Sequence, residues 1–310
     1  MDTRVLVVGE VLIDVVRTPD GAVTEHVGGS PANVATGLAR LGHPTDFATT
    51  VGPDDHGNAC LNHMQERGVV TLPSSRTAHP TSVADATIDD NGAATYRFDL
   101  HWNLAPVPIR GDVGHVHTGS IAATQPPGAD CVLRTLHEAR ERATISYDPN
   151  ARPSIMGDPD LVRSVIEGII ALADVVKASE DDIEWLYPGR SVDEVLAHWS
   201  DLGATFTLAT LGPAGVAARV PSTGTIERYA ARVGDAGAVV DTVGAGDSFM
   251  AGLVSALLDA GLVGGPDARP RLAAATTDQV AAAVDRALAT SGVTVRRAGA
   301  YSPTRDELEG

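Results

Sequence analysis

Lysine is nearly absent from this chain, which contains a single lysine, Lys177, among 310 residues. A phosphate loop of the Gly-x-x-x-x-Gly-Lys-Ser/Thr kind needs a lysine directly after its last glycine. Lys177 follows no such glycine, so this kind of nucleotide-binding loop is excluded. A Gly-x-Gly-x-x-Gly dinucleotide fingerprint is also missing after the first predicted strand, which continues into Gly9-Glu10-Val11. A Rossmann-type dehydrogenase is therefore not expected.

Cysteine is scarce as well, since the chain has only Cys60 and Cys131. Two isolated thiols without Cys-x-x-Cys spacing indicate neither a disulfide framework nor a structural zinc site. There is also no apolar run of membrane length, and the chain begins with a strand-like segment at 4–9 instead of a basic and then apolar leader. These absences predict a cytoplasmic protein with no membrane partner.

Basic residues are outnumbered, because 23 Lys and Arg stand against 40 Asp and Glu and the formal net charge is -17. This acidic excess repels nucleic acid, and no basic cluster offsets it, so we expect no nucleic-acid partner. The same excess repels ATP. A bound nucleotide would therefore need local backbone amides, an arginine or a metal ion.

What the chain does contain is a repeated alternation of strand-like and helix-like segments. Such alternation predicts an α/β fold, with a mostly parallel sheet covered by helices on both faces. A length of 310 residues fits one large domain, so 1–310 is predicted to form a single unit. Strands are predicted at 46–51, 144–147, 174–176 and 205–210, helices at 31–41, 129–140, 161–172, 191–202 and 277–289, and a connection at 260–272.

Two early hairpins interrupt this alternation. The first joins 11–16 to 23–27, and the second joins 82–88 to 94–98 through the turn Asp89-Asp90-Asn91-Gly92. Asn-Gly between alternating runs is a strong hairpin signal. The two hairpins predict a small β-sheet that stands off the main body as a lid, built from about 11–27 and 81–100. An exposed edge strand in this sheet would allow a homodimer through the lid.

The segment Asp241-Thr242-Val243-Gly244-Ala245-Gly246-Asp247-Ser248-Phe249 places two carboxylates around a glycine-rich turn. Apolar residues at helical spacing follow it, so the turn lies at a helix N-terminus. The free amides of 244–247 and the helix dipole favour a bound anion there. The turn can hold a transferring phosphoryl group beside a base, and the competing interpretation is that Asp247 only caps the helix.

A second glycine turn, Gly28-Gly29-Ser30-Pro31-Ala32-Asn33, also opens a helix. Ser30 as N-cap and Pro31 at the first helical position explain the helix start. Asn33 lowers the helix propensity, and its side-chain amide can both donate to and accept from hydroxyl groups. With Gly28 and Gly29, it predicts a site for a hydroxyl-rich ligand.

Several polar residues lie at or just beyond the ends of apolar runs. Because ligands of open parallel sheets bind at the carboxyl ends of the strands, this edge is where such residues would meet. Each of them alone fits a solvated loop residue better than a ligand, and only the shared edge makes them candidates. The set is Asp14, Asp148, Lys177, Thr210 and Asp247.

In the two glycine motifs, Gly28 to Gly42 and Asp241 to Phe249, the chain resembles the ribokinase-like, or PfkB, family of carbohydrate kinases, and the match covers essentially the whole chain. The resemblance implies a three-layer α/β/α sandwich with a β-sheet lid, and ATP-dependent phosphorylation of a sugar hydroxymethyl group. It implies that Asp247 deprotonates the acceptor hydroxyl, which agrees with what phosphoryl transfer requires of a site. It also places the anion hole at Gly244, Ala245 and Gly246, and the sugar hydroxyls at Asp14, Gly28, Gly29 and Asn33.

The same resemblance predicts the nucleotide and cation sites. In the segment Thr210 to Gly215, the residues Thr210, Gly212 and Gly215 match the family's nucleotide-binding turn. The family's Asn-x-x-Glu motif, which organises Mg²⁺ and the phosphates, is replaced here by Ser179 and Asp182 close to Lys177. Lys177 and Ser179 are then predicted nucleotide ligands and Asp182 a magnesium ligand. Backbone around Asp241 and Val243 resembles a monovalent-cation site, so the predicted cofactors are ATP and Mg²⁺, with K⁺ as an option.

A third segment, Tyr147-Asp148-Pro149-Asn150-Ala151-Arg152-Pro153, bears on the substrate. With the first glycine motif it looks more like bacterial fructokinases and keto-deoxy-gluconate kinases than ribokinases, so fructose is the first choice. Asp148 and Arg152 are candidate substrate ligands, with a loop ion pair as the other role for Arg152. Tyr96 and Phe98 either face the sugar or pack in the sheet. Ribokinase, keto-deoxy-gluconate kinase, nucleoside kinase and a non-catalytic sugar sensor stay open as alternatives.

Overall fold

A computed structural model describes residues 3–89, 94–231 and 239–309. Within these ranges the secondary structure follows the predicted alternation. The strands are β1 (Arg4–Val8), β2 (Leu12–Arg17), β3 (Val23–Gly28), β4 (Thr45–Ala48), β5 (Val70–Thr71), β6 (Val83–Ile88), β7 (Ala94–Asp99), β8 (Val113–Gly119), β9 (Thr144–Asp148), β10 (Val175–Ser179), β11 (Phe206–Thr210), β12 (Val216–Arg219) and β13 (Ile226–Tyr229). The helices are α1 (Ser30–Arg40), α2 (Asp55–Glu66), α3 (Gly128–Ala139), α4 (Pro153–Met156), α5 (Pro159–Ile170), α6 (Glu180–Leu186), α7 (Val192–Leu202), α8 (Ala245–Asp259), α9 (Arg269–Ala273), α10 (Thr277–Thr294) and α11 (Asp306–Glu309).

The large sheet has the strand order β13-β12-β11-β10-β9-β8-β1-β4-β5 in the described residues. From β11 to β5 all neighbouring strands pair in parallel, whereas β12 and β13 form an antiparallel edge. The carboxyl ends of β9, β10 and β11 therefore lie side by side at one edge. The mostly parallel sheet predicted from the sequence is confirmed.

Two apolar cores lie on opposite faces of this sheet, since the side chains of a strand alternate between its faces. Val5 and Val7 of β1 pack with buried residues of α1, α8 and α10. Leu6 and Val8 of the same strand pack with buried residues of α3, α5 and α7. The chain thus forms three layers, helix on sheet on helix, as predicted.

The small sheet has the order β3-β2-β6-β7. Both predicted hairpins are present as antiparallel pairs, and β2 pairs with β6 in parallel between them. The predicted turn at 90–92 lies outside the described residues. Ile13 and Val15 on one face are buried against the first core, so the face that carries Asp14 points the other way.

Several element boundaries differ from the predictions, among them the strand predicted at 174–176, which is β10 at Val175–Ser179. The strand predicted at 46–51 ends at Ala48, and α10 continues five residues beyond the predicted 289, to Thr294. Its start is set by a capping box between Thr276 and Gln279. The predicted connection at 260–272 contains most of the short helix α9. No helix among the described residues is long and apolar enough to cross a membrane.

Candidate active site

The glycine-rich turn that contains Gly244 and Gly246 lies at the start of α8. Gly244 is the N-cap residue and has the left-handed φ of 74°, and Ala245 is the first helical residue. A side chain at Gly244 would also press on Ala300, because an added Cβ would lie 2.6 Å from the Cβ of Ala300. Asp247 lies in the first turn and is 7% exposed. The predicted placement of the loop at a helix N-terminus is confirmed.

Three side chains donate hydrogen bonds to the Asp247 carboxylate. Ser30 Oγ donates to Oδ1 over 2.6 Å, Asn33 Nδ2 donates to Oδ2 over 2.8 Å, and Asn150 Nδ2 reaches Oδ1 over 3.4 Å. These donors fix the orientation of the carboxylate. The interpretation of Asp247 as a helix cap is wrong, because Gly244 is the N-cap of α8 and the Asp247 carboxylate accepts from two distant segments of the chain.

The role predicted for Ser30 is wrong. Gly29, with φ 106°, is the N-cap of α1 and makes no side-chain capping bond, while Ser30 is already helical. Its hydroxyl is consequently free to reach Asp247. Asn33 is also already paired with Asp247, so its amide does more than offer hydrogen bonds to a ligand.

Close packing of α1 on α8 makes these contacts reachable. Gly37 lies one helical turn after Asn33, and Ala251 lies one turn after Asp247. A Cβ added to Gly37 would lie 2.5 Å from the Cβ of Ala251, closer than two carbons can approach. The glycine therefore lets the two helices come close enough for Asn33 to reach Asp247.

Asn150 is a site residue for which the sequence predicted no role. It has a positive φ of 37°, and its amide oxygen accepts a 2.6 Å hydrogen bond from Arg152 Nη1. Arg152 thus orients the amide that contacts Asp247, and its role as a substrate ligand stays a prediction. The position of Asn150 two residues beyond the end of an apolar strand was the available signal.

The face of the small sheet that carries Asp14 contributes a row of side chains. Asp14 is opposite His26 on β3 and Ala84 on β6, and Ala84 is opposite Phe98 on β7. Burial raises the pKa of Asp14. His26 was not predicted, because its position beside Asp14 depends on strand register.

Gly28 and Gly29 are required by this geometry. A Cβ on Gly28 would clash with the Asp14 carboxylate, and one on Gly29 would lie 2.6 Å from the backbone oxygen of Glu10.

On β7, the rings of Tyr96 and Phe98 stack at a centroid distance of 5.9 Å, and Tyr96 is 60% exposed. The aromatic pair is thus open to solvent on at least part of its surface.

Lys177 forms a buried ion pair with Asp148 at the carboxyl edge of the large sheet. Its Nζ lies 2.8 Å from Asp148 Oδ2, and the two residues are 3% and 0% exposed. Burial opposes the charge of Lys177, but Asp148 raises the pKa of the ammonium. Burial raises the pKa of Asp148 to about 6 despite the lysine, and its Oδ1 has no hydrogen-bond partner among the described residues.

The ammonium of Lys177 also faces the glycine loop of α8. A Cβ added to Gly246 would lie 3.2 Å from Lys177 Nζ. The Lys177 ammonium therefore lies next to the backbone amides that are predicted to hold the phosphoryl group. Lys177 brings positive charge to this part of an acidic protein.

Ser179 and Asp182 form a capping box at the start of α6. Asp182 Oδ2 accepts from the amide and hydroxyl of Ser179, at 2.8 and 2.7 Å, and Oδ1 accepts from the amide of Ala151 at 2.7 Å. Both carboxylate oxygens are thus engaged in the protein. Three of the roughly four hydrogen bonds that a carboxylate can accept are made, one lone pair of Oδ1 is left, and Asp182 as a magnesium ligand stays a prediction. The described residues contain no group of three acidic, His or Cys side chains that could hold a metal ion.

The predicted nucleotide turn lies directly after β11. Gly212 and Gly215 have positive φ values of 53° and 97°, and a Cβ on Gly215 would clash with the backbone oxygen of Tyr229. Thr210 ends β11, next to Ser179 at the end of β10. The structure thus brings Thr210 and Ser179 together at the carboxyl edge of the sheet.

Asp241 links the glycine loop to the segment after α10. Its Oδ1 accepts from the amide of Val243 at 3.0 Å and its Oδ2 from the amide of Gly299 at 2.8 Å, and these amides lower its pKa. Val243 is 56% exposed. The Asp241 carboxylate therefore connects the glycine loop to the segment after α10 through hydrogen bonds.

Comparison with known proteins agrees with this geometry. Residues 2–307 match the family described as pfkB family carbohydrate kinase. The chain belongs to this family. Its membership in the pfkB family, the fold and the enzyme class predicted from the two glycine motifs are confirmed.

Curated relatives and solved structures of the pfkB family include fructokinases. A fructokinase from Klebsiella pneumoniae is 32% identical over 322 residues, covering 100% of this chain and 99% of the relative. A fructokinase from Xylella fastidiosa with bound ATP has a TM-score of 0.87 at 24% identity, covering 100% of this chain and 98% of that one. A fructokinase variant from Vibrio cholerae, solved with fructose, ADP and a potassium ion, has a TM-score of 0.79 at 24% identity over 100% and 98% of the two chains.

Proposed function

We propose that this pfkB-family protein is a fructokinase, which transfers the γ-phosphoryl group of ATP to a hydroxymethyl group of fructose and yields fructose 6-phosphate and ADP. The observation that carries the proposal is the buried Asp247 carboxylate, held by Ser30 and Asn33 in the first turn of α8. A base fixed next to an anion-binding helix terminus is what phosphoryl transfer to an alcohol requires. The curated fructokinase relative supports fructose as the acceptor.

Asp247 acts as the general base in this proposal. Each carboxylate oxygen can accept two hydrogen bonds, and Oδ2 accepts one, from Asn33. The remaining lone pair of Oδ2 takes the proton of the sugar hydroxyl. The hydroxyl oxygen then forms a bond to the γ-phosphorus as the bond between that phosphorus and ADP breaks, and ADP leaves with the bonding electrons.

The amides at Gly244, Ala245 and Gly246 stabilise the phosphoryl group during transfer, together with the α8 dipole. Lys177 adds a charge beside the same loop. Asp148 holds Lys177 in place, so its predicted role as a substrate ligand becomes an indirect one. The pair contributes one negative and one positive charge, and the ammonium is the member that faces Gly246.

Sugar hydroxyls bind at Asp14, Gly28 and Gly29, and the small sheet acts as the lid over them. Tyr96 and Phe98 present their rings from β7 on the face that carries Asp14. The outer strands β3 and β7 each have one unpaired edge in the described sheet. A homodimer through the lid stays a prediction, which size-exclusion chromatography with light scattering tests.

The nucleotide binds along Thr210, Gly212 and Gly215, with Ser179 nearby at the end of β10. Asp182 at the start of α6 would hold the magnesium ion together with the ATP phosphates, in keeping with the preference of magnesium for one or two carboxylates plus substrate phosphates. The ion supplies charge neutralisation to the phosphates when bound. A monovalent-cation site at the carbonyl groups around Asp241 and Val243 is tested by comparing activity in potassium, sodium and lithium salts.

An ADP-release assay with magnesium over fructose, ribose, keto-deoxy-gluconate, inositol and adenosine tests the proposal. We expect fructose to have the highest kcat/KM, and the Asp247→Asn variant supplies the ATPase background. Turnover of no substrate above this background would overturn the proposal. Preference for adenosine would identify a nucleoside kinase, and calorimetric fructose binding without ATP consumption would identify a sugar sensor.

A further inference from the structure

A small cavity lies at the base of the lid, next to the proposed sugar site. Its volume is about 70 Å³, and its walls include Glu10, Leu12, Ser82, Leu100, Trp102 and Gln125. Leu12 is the register partner of Gly28, and the backbone oxygen of Glu10 faces Gly29. Because a water molecule takes up roughly 30 Å³ of liquid, the cavity has room for a group of about two non-hydrogen atoms.

Glu10 is the ionisable side chain in this cavity wall. It lies two residues beyond the end of β1, at the ligand-binding edge of the sheet, and is 5% exposed. Its Oε2 accepts a 3.1 Å hydrogen bond from the amide of Ala122. Burial raises the pKa of Glu10 to about 7, although hydrogen bonds from the Ser120 hydroxyl and from the amides of Glu10 and Ala122, and the charge of Arg152, act against that rise. These three donors leave room for about one more hydrogen bond on the carboxylate.

Most of the other residues that line the cavity are apolar, so the Glu10 carboxyl group is its one ionisable group among the described residues. Leu12, Leu100, Trp102 and Ile121 are apolar, and the indole Nε1 of Trp102 donates to the backbone oxygen of Ala122. The polar walls already have partners, since Ser82 bonds the backbone of His101 and Gln125 bonds the backbone oxygen of Ile155. A carboxylate can accept about four hydrogen bonds. A ligand group that is small, fits between apolar walls and donates a hydrogen bond would match this cavity.

We propose that the cavity is a subsite for a second hydroxymethyl group of the sugar, at the end remote from the phosphorylated hydroxyl, and that Glu10 accepts a hydrogen bond from that group. The proposal rests on the proposed function. Fructose in its furanose form carries a hydroxymethyl group at both C2 and C5, whereas ribofuranose carries one at a single end. Glu10 is thus a specificity-determining residue that favours ketohexoses over aldopentoses.

A cycle of two enzymes and two substrates tests this contact. Fructose is compared with 1-deoxyfructose, which has a methyl group in place of the second hydroxymethyl group, in the wild type and in Glu10→Ala. In the wild type we expect kcat/KM to fall by about 10- to 100-fold on loss of the hydroxyl, as for a hydrogen bond to a charged group. In Glu10→Ala the two substrates should agree within about threefold, while the KM for ATP stays unchanged.

Asp85→Asn is the matched lid control. Asp85 forms an ion pair with Arg17 and is the register partner of Val15, so it lies on the lid face opposite Asp14. Removing its charge should therefore leave the ratio of kcat/KM for the two substrates at the wild-type value. Glu10→Gln supplies a second variant that keeps the side-chain shape if Glu10→Ala does not fold.

In the wild type, the KM for fructose should rise as pH falls below 7, because a protonated Glu10 accepts hydrogen bonds less well. This rise should be absent in Glu10→Gln.

The outcomes separate the inference from the proposed function. If the wild type phosphorylates fructose but the ratio of the two substrates is the same in the wild type and in Glu10→Ala, Glu10 does not contact the hydroxyl and the inference is wrong. A KM for fructose with the same pH dependence in the wild type and Glu10→Gln would overturn it as well. If the wild type phosphorylates neither sugar, the proposed function itself fails.

Discussion

The side-chain amide of Asn33 on α1 donates a 2.8 Å hydrogen bond to the carboxylate of Asp247 on α8, across 214 residues of sequence. This bond joins the two glycine turns of the chain into one site. It exists because Gly37 and Ala251, one turn further along each helix, allow the helices to touch. The geometry of the proposed active site therefore depends on a helix contact one turn away from Asp247.

Gly37→Ala should disturb the site through this contact. The added Cβ pushes α1 away from α8, so Asn33 loses its hold on Asp247, and we expect kcat to fall by about tenfold. The melting temperature should also fall, in contrast to the usual stabilising effect of Gly→Ala in a helix, about 0.5–1 kcal/mol. Gly292→Ala in α10 is the matched control, since a Cβ there meets no atom within 4 Å. Equal kinetics and stability for both variants would contradict this account.

Asp247→Asn should lower kcat by about a thousandfold, because the sugar hydroxyl loses its proton acceptor. Fructose affinity should change by less than about threefold, since the binding contacts at Gly28 and Gly29 remain. Calorimetry measures the binding and the ADP-release assay measures kcat. Asp278→Asn, which alters an exposed first-turn aspartate of α10, is the control and should behave like the wild type. A variant at position 247 that kept a tenth of the wild-type kcat would rule out its role as base.

Lys177→Met should be inactive and strongly destabilised. Removing one member of a buried ion pair leaves Asp148 uncompensated, at a cost of about 3–5 kcal/mol. The double variant Lys177→Met with Asp148→Asn removes both charges and should recover most of the stability measured by urea denaturation. It should not recover kcat, because the charge beside Gly246 is still missing. Full activity in a stable double variant would show that the pair is only structural.

The buried histidines of β8 should make stability sensitive to acid. His115 bonds Thr144 and Ser146, His117 bonds Ser146, and burial lowers the pKa of each histidine to about 3. Both are neutral when folded, so the unfolded chain takes up two protons as pH falls below about 6.5 and the folded chain does not. Their contribution to stability is therefore full above that pH and is lost towards pH 3.

Urea denaturation at pH 7 and pH 5 measures this effect. The wild type should lose up to about 4 kcal/mol more on acidification than the double variant His115→Gln with His117→Gln, by linkage of about 1.4 kcal/mol per histidine and pH unit. Burial of the carboxyls of Glu10 and Asp148 acts in the opposite direction in both proteins and cancels in the comparison. Parallel losses in the two proteins would contradict the prediction.

Most elements of the fold were predictable, because periodicity and turn residues are local signals. Both hairpins of the lid and the helices that begin at Ser30 and Ala245 were recognised from short segments. Side-chain roles were harder to predict. Ser30 was expected to cap a helix, yet its hydroxyl bonds Asp247, and the capping box of Ser179 and Asp182 at the start of α6 was not predicted. A cap depends on backbone angles at a single residue, which composition does not determine.

The sequence by itself determined the α/β architecture, the family and the position of the glycine loop, since these follow from spacing along the chain. Only the tertiary structure decided which side chains meet. Asn150, held by Arg152, reaches Asp247, and Lys177 lies beside Gly246, because parallel strands end at one sheet edge where α8 begins. His26 and the Glu10 cavity likewise depend on strand register and on how the lid sits against the sheet, and these are long-range contacts that no local pattern encodes.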